Sequence, residues 1–185
     1  GIAVEELARI GVTHAIRIGS CGALQKEIRL GDLILVQGAV RDEGTSRTYI
    51  DSIYPAIPDF ELMNACVEAA EEEQIPAHVG MARSHDSFYT DREDEIDALW
   101  AGRGVLLCDM EGAALFVIGK LRGVKTASIL NTVVEYEDNL EDNINNYTDG
   151  VNATVQGEKN EIHVALEALY RCSGKSGGQR YEEHF

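Results

Sequence analysis

The chain has 185 residues, with 32 Asp and Glu against 16 Lys and Arg, for a formal net charge of -16. That balance, with only five lysines among the cations, excludes nucleic acid and anionic membrane surfaces as partners. The length sets a single domain with a core of its own, and the acidity suits either an ordinary solvated surface or a high-salt cytoplasm.

Ile2, Val4, Leu7 and Ile10 share one helical face, and Gly11 closes that helix. Ala15–Ile18 is an apolar run read as a buried strand, and Gly19-Ser20-Cys21-Gly22 as the loop at its end. A turn at Leu30-Gly31-Asp32 enters a second strand through Val36, and 39–47 is a polar loop. Pro55 and Pro58 precede a helix from Asp59 to about Glu73. A short strand over Ala77–Ala82 leads into a charged loop, 84–95, which carries Phe88 and Tyr89. Val105–Cys108 is strand-like, a helix runs from Gly112, and 125–134 is the last strand. The acidic segment 135–146 is read as a surface loop or flap, and 158–171 as the final helix. Strands alternating with helices predict an α/β domain over 1–171 with helices on both faces of the sheet, followed by a flexible tail, 172–185. The start inside a helix, without Met, is read as an amino-terminal truncation.

Cys21, Cys66, Cys108 and Cys172 are far apart and form no CxxC pair. They predict reduced thiols, neither a disulfide framework nor a metal site. No signal peptide or 18-residue apolar span is visible, and a cytoplasmic location is expected.

Two centres carry chemistry. Arg17 lies inside an apolar strand, where an unpaired guanidinium is costly to bury. Its partner is either an oxyanion, seated with the Gly19–Gly22 amides and the Ser20 hydroxyl, or a core carboxylate in a structural salt bridge. The second centre is Asp109-Met110-Glu111, where a strand gives way to a helix and carboxylates are stabilised in their charged form. Glu111 is placed to accept from a vicinal diol, and Asp109 to cap the helix. Phe88 and Tyr89 are either packing anchors or a stacking surface for a planar ligand.

In order and spacing, GIAVEELARIGV, IRIGSCGAL, GDLILVQGAVRDEGTS, YPAIPDFEL, SHDSFYT and DMEGAALFVIGKLRGVKTASIL resemble the nucleoside phosphorylases of the uridine phosphorylase and hexameric purine nucleoside phosphorylase type, from about Gly1 to Leu169. The resemblance implies a three-layer α/β/α fold with a mixed, partly closed central sheet. It implies phosphorolysis of a nucleoside to free base and pentose 1-phosphate, with inorganic phosphate as co-substrate, no cofactor and no metal. It implies that Arg17, Gly19 and Ser20 bind phosphate, that Met110 and Glu111 bind ribose, and that Phe88 packs on the base. It also implies a dimer-based oligomer, expected to be a hexamer.

The base end departs from the family pattern. Where uridine enzymes carry a Gln-x-Arg pair, this chain has Arg92-Glu93-Asp94. Where purine enzymes carry a Ser-Asp acid, it has Val133-Val134 followed by Glu135. Arg92 and Asn131 are the candidate donors to a pyrimidine, which favours uridine, although Arg92 also has surface acids at hand in 93–95. The alternatives are a purine nucleoside phosphorylase, a methylthioadenosine or S-adenosylhomocysteine nucleosidase of the same fold, and a non-catalytic relative. Arg17 argues against the nucleosidase, because a water nucleophile needs no cationic seat.

Overall fold

The computed structural model describes residues 1–136 and 152–174. Five strands close into a barrel in the order β1-β4-β3-β2-β5: β1 His14–Ala23, β2 Leu33–Asp42, β3 Ala77–His85, β4 Val105–Asp109 and β5 Lys125–Val134. The pairing is mixed. β1 runs parallel to β5, β2 is antiparallel to β5, β3 is parallel to both β2 and β4, and β4 is antiparallel to β1. Helix α1 is Ile2–Arg9, a 3-10 turn follows β2 at Ser46–Thr48, and α2 is Phe60–Glu72. Then come α3 Glu93–Ala101, α4 Gly112–Arg122 and α5 Asn152–Gly174.

Two apolar layers flank the sheet, as expected of a three-layer arrangement. On one side Leu33, Leu35, Ala127 and Ile129 pack against the inner faces of α2 and α5. On the other, Ile34, Val36, Leu107 and Leu130 pack against Phe116 and Val117 of α4. Alternation along β2 divides its side chains between the two layers.

Local chemistry explains the helix ends. Asp59 accepts from the Leu62 amide at 3.1 Å and caps α2. Among the described residues no helix is long and apolar enough to cross a membrane.

The structure corrects several boundaries. Gly19–Gly22 is not a loop but the second half of β1, which pairs with β5 as far as Gly22 and with β4 at Gly22 and Ala23. The small residues serve a close crossing: a Cβ on Gly22 would lie 3.2 Å from Cys108 Sγ. Likewise β2 runs through to Asp42 and β3 to His85, so 39–42 and 84–85 are strand. Helix α3 occupies a segment read only as loop at its start, and the last helix begins at Asn152 and ends at Gly174. The predicted flap beyond Tyr136 and the predicted tail beyond Gly174 lie outside the described residues.

Candidate active site

The turn from β4 into α4 places two carboxylates in different surroundings. Asp109 is buried. It accepts from the Gly112 amide at 2.8 Å and from the Ser84 hydroxyl at 2.5 Å. Ser84, at the end of β3, accepts in turn from the Ala113 amide at 2.9 Å. Two of the first amides of α4 thus receive side-chain acceptors from two strands, and Asp109 is the helix cap its sequence position suggested. Glu111 faces outward, its side chain 59% exposed. Its carboxylate accepts from the Met110 amide at 3.3 Å.

Arg17 meets both acids. Its Nη2 donates to Glu111 Oε2, and its Nη1 lies 3.8 Å from Asp109 Oδ2. The antiparallel crossing of β1 and β4 brings them together, because Gly22 is level with Cys108 and Ala23 with Leu107. The two readings of Arg17 are therefore both present in the geometry. A carboxylate partner exists, yet Nη1 is buried and makes no hydrogen bond. A buried, unsatisfied guanidinium N–H is costly, and it is relieved by an anion with oxygens to spare.

Behind the second half of β1 stands a third carboxylate. Glu161, on α5, is 5% exposed and accepts from the Gly19 amide at 2.9 Å. Burial pushes its carboxyl up to about 7, against the Gly19 amide, which lowers it. Sequence reasoning missed it, although the signal exists. Glu161, Val164, Ala165 and Ala168 follow helical spacing, so a lone acid stands on the apolar face that packs on the sheet.

The predicted base contacts are not drawn into this cluster. Asn131 is buried and donates from Nδ2 to the Thr154 carbonyl on α5 at 2.9 Å. Arg92 pairs with Glu95 through Nε and Nη2 at 3.0 and 3.1 Å. Phe88 and Tyr89 are partly or largely exposed and pack edge to face, ring centres 5.0 Å apart. Ser20 is exposed and level with Asn131 in the β1–β5 ladder. Glu135 accepts from the Leu30 amide at 3.0 Å and pairs with Arg29, and so is held at the turn before β2.

Between these two groups lies a buried cation. Arg83 of β3 donates from Nε to Asp42 Oδ2 at 2.8 Å and lies 3.9 Å from Asp97 of α3, tying α3 to the rim of the barrel. Burial first, then the Arg83 charge, lowers the pKa of His85. Burial raises that of Asp97. The cysteines are free thiols, and burial pushes Cys66 and Cys108 up to about 12, which keeps them protonated and unreactive. Among the described residues no cluster of His, Cys, Asp and Glu is arranged to hold a metal ion.

Comparison with known proteins places this geometry. A guanosine phosphorylase of Halorubrum lacusprofundi is 39% identical over 128 residues, 69% of this chain and 53% of that protein. A uridine phosphorylase of Treponema pallidum is 33% identical over 181 residues, 91% of this chain and 66% of that protein. The crystal structure of a uridine phosphorylase from Vibrio fischeri ES114 superposes with a TM-score of 0.84 at 47% identity, covering 92% of this chain and 69% of that one. The chain therefore spans from half to about two thirds of the length of these relatives. The family model described as the phosphorylase superfamily matches residues 2–169, and the chain belongs to that superfamily.

Proposed function

We propose that the whole protein catalyses phosphorolysis of a nucleoside, with uridine preferred, to give free base and ribose 1-phosphate. The observation that carries the reading is Arg17: a guanidinium in the strand wall, with Nη1 buried and unbonded, beside an outward carboxylate on the adjoining turn. Among the similar proteins, several are named uridine phosphorylase.

Phosphate binds at Arg17 and Ser20 and lies against Gly19, whose own amide stays on Glu161. Glu111, with Met110 beside it, accepts from the ribose hydroxyls. These two ligands take over the bonds that Arg17 and Glu111 make to each other. A phosphate oxygen attacks C1′ from one side of the sugar as the glycosidic bond breaks on the other. The bonding pair leaves on the base, which takes up a proton. The anion opposite the developing positive charge on the sugar both stabilises and traps it, and Arg17 fixes its position. Phe88 packs on the base and Arg92 supplies a donor to it, while Asn131 keeps its amide on the Thr154 carbonyl. For Arg92 this requires release from Glu95, an exposed pair that costs little to open.

The experiment is base release from uridine, inosine, guanosine and adenosine by the whole protein, with and without phosphate. Phosphate-dependent release from uridine above the purines is the expected result, and hydrolysis without phosphate overturns it. Preference for guanosine is the second reading. The Halorubrum lacusprofundi relative and the commitment of Asn131 to Thr154 favour it. A cytoplasmic location and a dimer-based hexamer belong to the same proposal. Exposed apolar side chains on and just after α1 (Ile2, Ile10) and on α5 (Leu166, Tyr170) support the assembly, and light scattering tests it.

A further inference from the structure

We propose that Glu161 is a positioning residue for the phosphate seat: its buried carboxyl fastens strand β1 at Gly19 to α5, and its charge sets how strongly the seat takes an anion. The inference rests on the reading of Arg17 and Gly19 as that seat.

The geometry is specific. Glu161 reaches across from α5 to accept the Gly19 N–H of β1 at 2.9 Å, and the Asn131 backbone of β5 also lowers its pKa. Gly19 lies two residues after Arg17 on the same strand. A Cβ added to Gly19 would stand 3.5 Å from Arg17 Nη1, so the unbonded donor and the strand segment held by Glu161 are neighbours. The helix is pressed against this point. A Cβ on Gly157, one turn before Glu161, would lie 2.0 Å from Asn131 Oδ1, so only glycine lets α5 seat so closely. Asn131 Oδ1 is itself buried without a donor. The acid at the foot of the seat thus has the Gly19 N–H as donor to its carboxyl and no cation at bonding distance among the described residues.

Ionised, Glu161 is a negative charge beneath an anion site. Protonated, it still accepts from Gly19 through its carbonyl oxygen and no longer repels the anion. Its burial raises the pKa to about 7, so the two forms exchange near neutral pH. The charged groups facing it are Glu158 from α5, which raises the pKa, and Arg17 from β1, which lowers it, while β5 contributes the neutral Asn131. By linkage, a bound dianion raises it further, and lower pH tightens anion binding by the same factor.

The test is calorimetric binding of sulfate to the whole protein between about pH 5.5 and about pH 8.5, because sulfate, unlike phosphate, has no proton to lose there. The parent is expected to lose about tenfold in affinity across that range. Glu161→Gln, neutral throughout, is expected to keep the low-pH affinity at both ends. A Glu161→Gln protein with the slope of the parent overturns the assignment and leaves the Arg17 seat standing. Absence of sulfate binding by the parent at either pH overturns both. A readout independent of any variant is the carboxyl carbon NMR titration of the parent: the glutamate titrating near neutral pH must move upward by about one unit when sulfate saturates the site. A midpoint that stays in place overturns the proposal.

Discussion

The two ends of the proposed site are built in different ways. At the sugar and phosphate end, the fixed groups come from elements distant in sequence. Ser84, Asp109 and the start of α4 form a buried, fully bonded unit, with Arg17 set against it. At the base end, Arg92 bonds only three residues along, Phe88 packs on its neighbour, and both are open to solvent. Long-range buried bonds hold a geometry firmly, whereas local exposed ones let it change at little cost. On the proposed function, the shared chemistry of phosphorolysis would sit on the rigid side, and the choice of base on the adaptable side. That division matches relatives that differ in the base they are named for.

Substitutions on the two sides should differ accordingly, and the largest effect belongs to Arg17. Arg17→Ala is expected to lower kcat/KM by on the order of a hundredfold or more and to raise the phosphate requirement, read from steady-state rates against phosphate concentration. Unchanged phosphate saturation in a folded variant would remove the rigid end from the reaction. Asp109→Ala should cost roughly 2–3 kcal/mol in chemical denaturation, because it strips a cap and leaves the Ser84 hydroxyl and Gly112 amide unsatisfied. A loss within experimental error would show that the buried unit is not what holds the turn. Glu111→Gln keeps the shape but loses charge and one acceptor. It is expected to cost about tenfold with ribonucleosides while leaving the denaturation midpoint in place. The smallest effect is on the base side: Arg92→Ala should lower kcat/KM for uridine by about fivefold without altering that for adenosine. Equal kinetics with both would make Arg92 a surface residue and leave the phosphorylase reading untouched.

The firm side was also the more legible in the sequence. Arg17 in an apolar strand and Asp109 ahead of a helix are signals that burial and capping make directional, and both residues take the partners their chemistry asks for. What stayed hidden was what depends on pairing across the sheet. Gly19–Gly22 is dense in small residues and reads as a loop, but it is strand, and at Gly22 the missing side chain makes room for β4. Asn131 reads as a donor at a strand end, whereas the arrival of α5 claims its amide for Thr154. Ser84 carries no mark in the sequence that it will meet Asp109, 25 residues on; β3–β4 register alone sets them level. Helix α3 was masked by its own acidic first turn, Glu93-Asp94-Glu95, which reads as charged loop until the helix start makes it favourable.

The barrel closes unevenly. β1 is zipped to β5 from His14 to Gly22, but to β4 only at Gly22 and Ala23. That short seam lies between the strand carrying Arg17 and the strand carrying Asp109. A fluctuation that parts these two strands breaks few ladder bonds, and it would widen the cleft between the cation and the acids. Amide protons at the seam should exchange with deuterium ahead of those along β5, and saturation with phosphate, by bridging the gap, should slow them selectively.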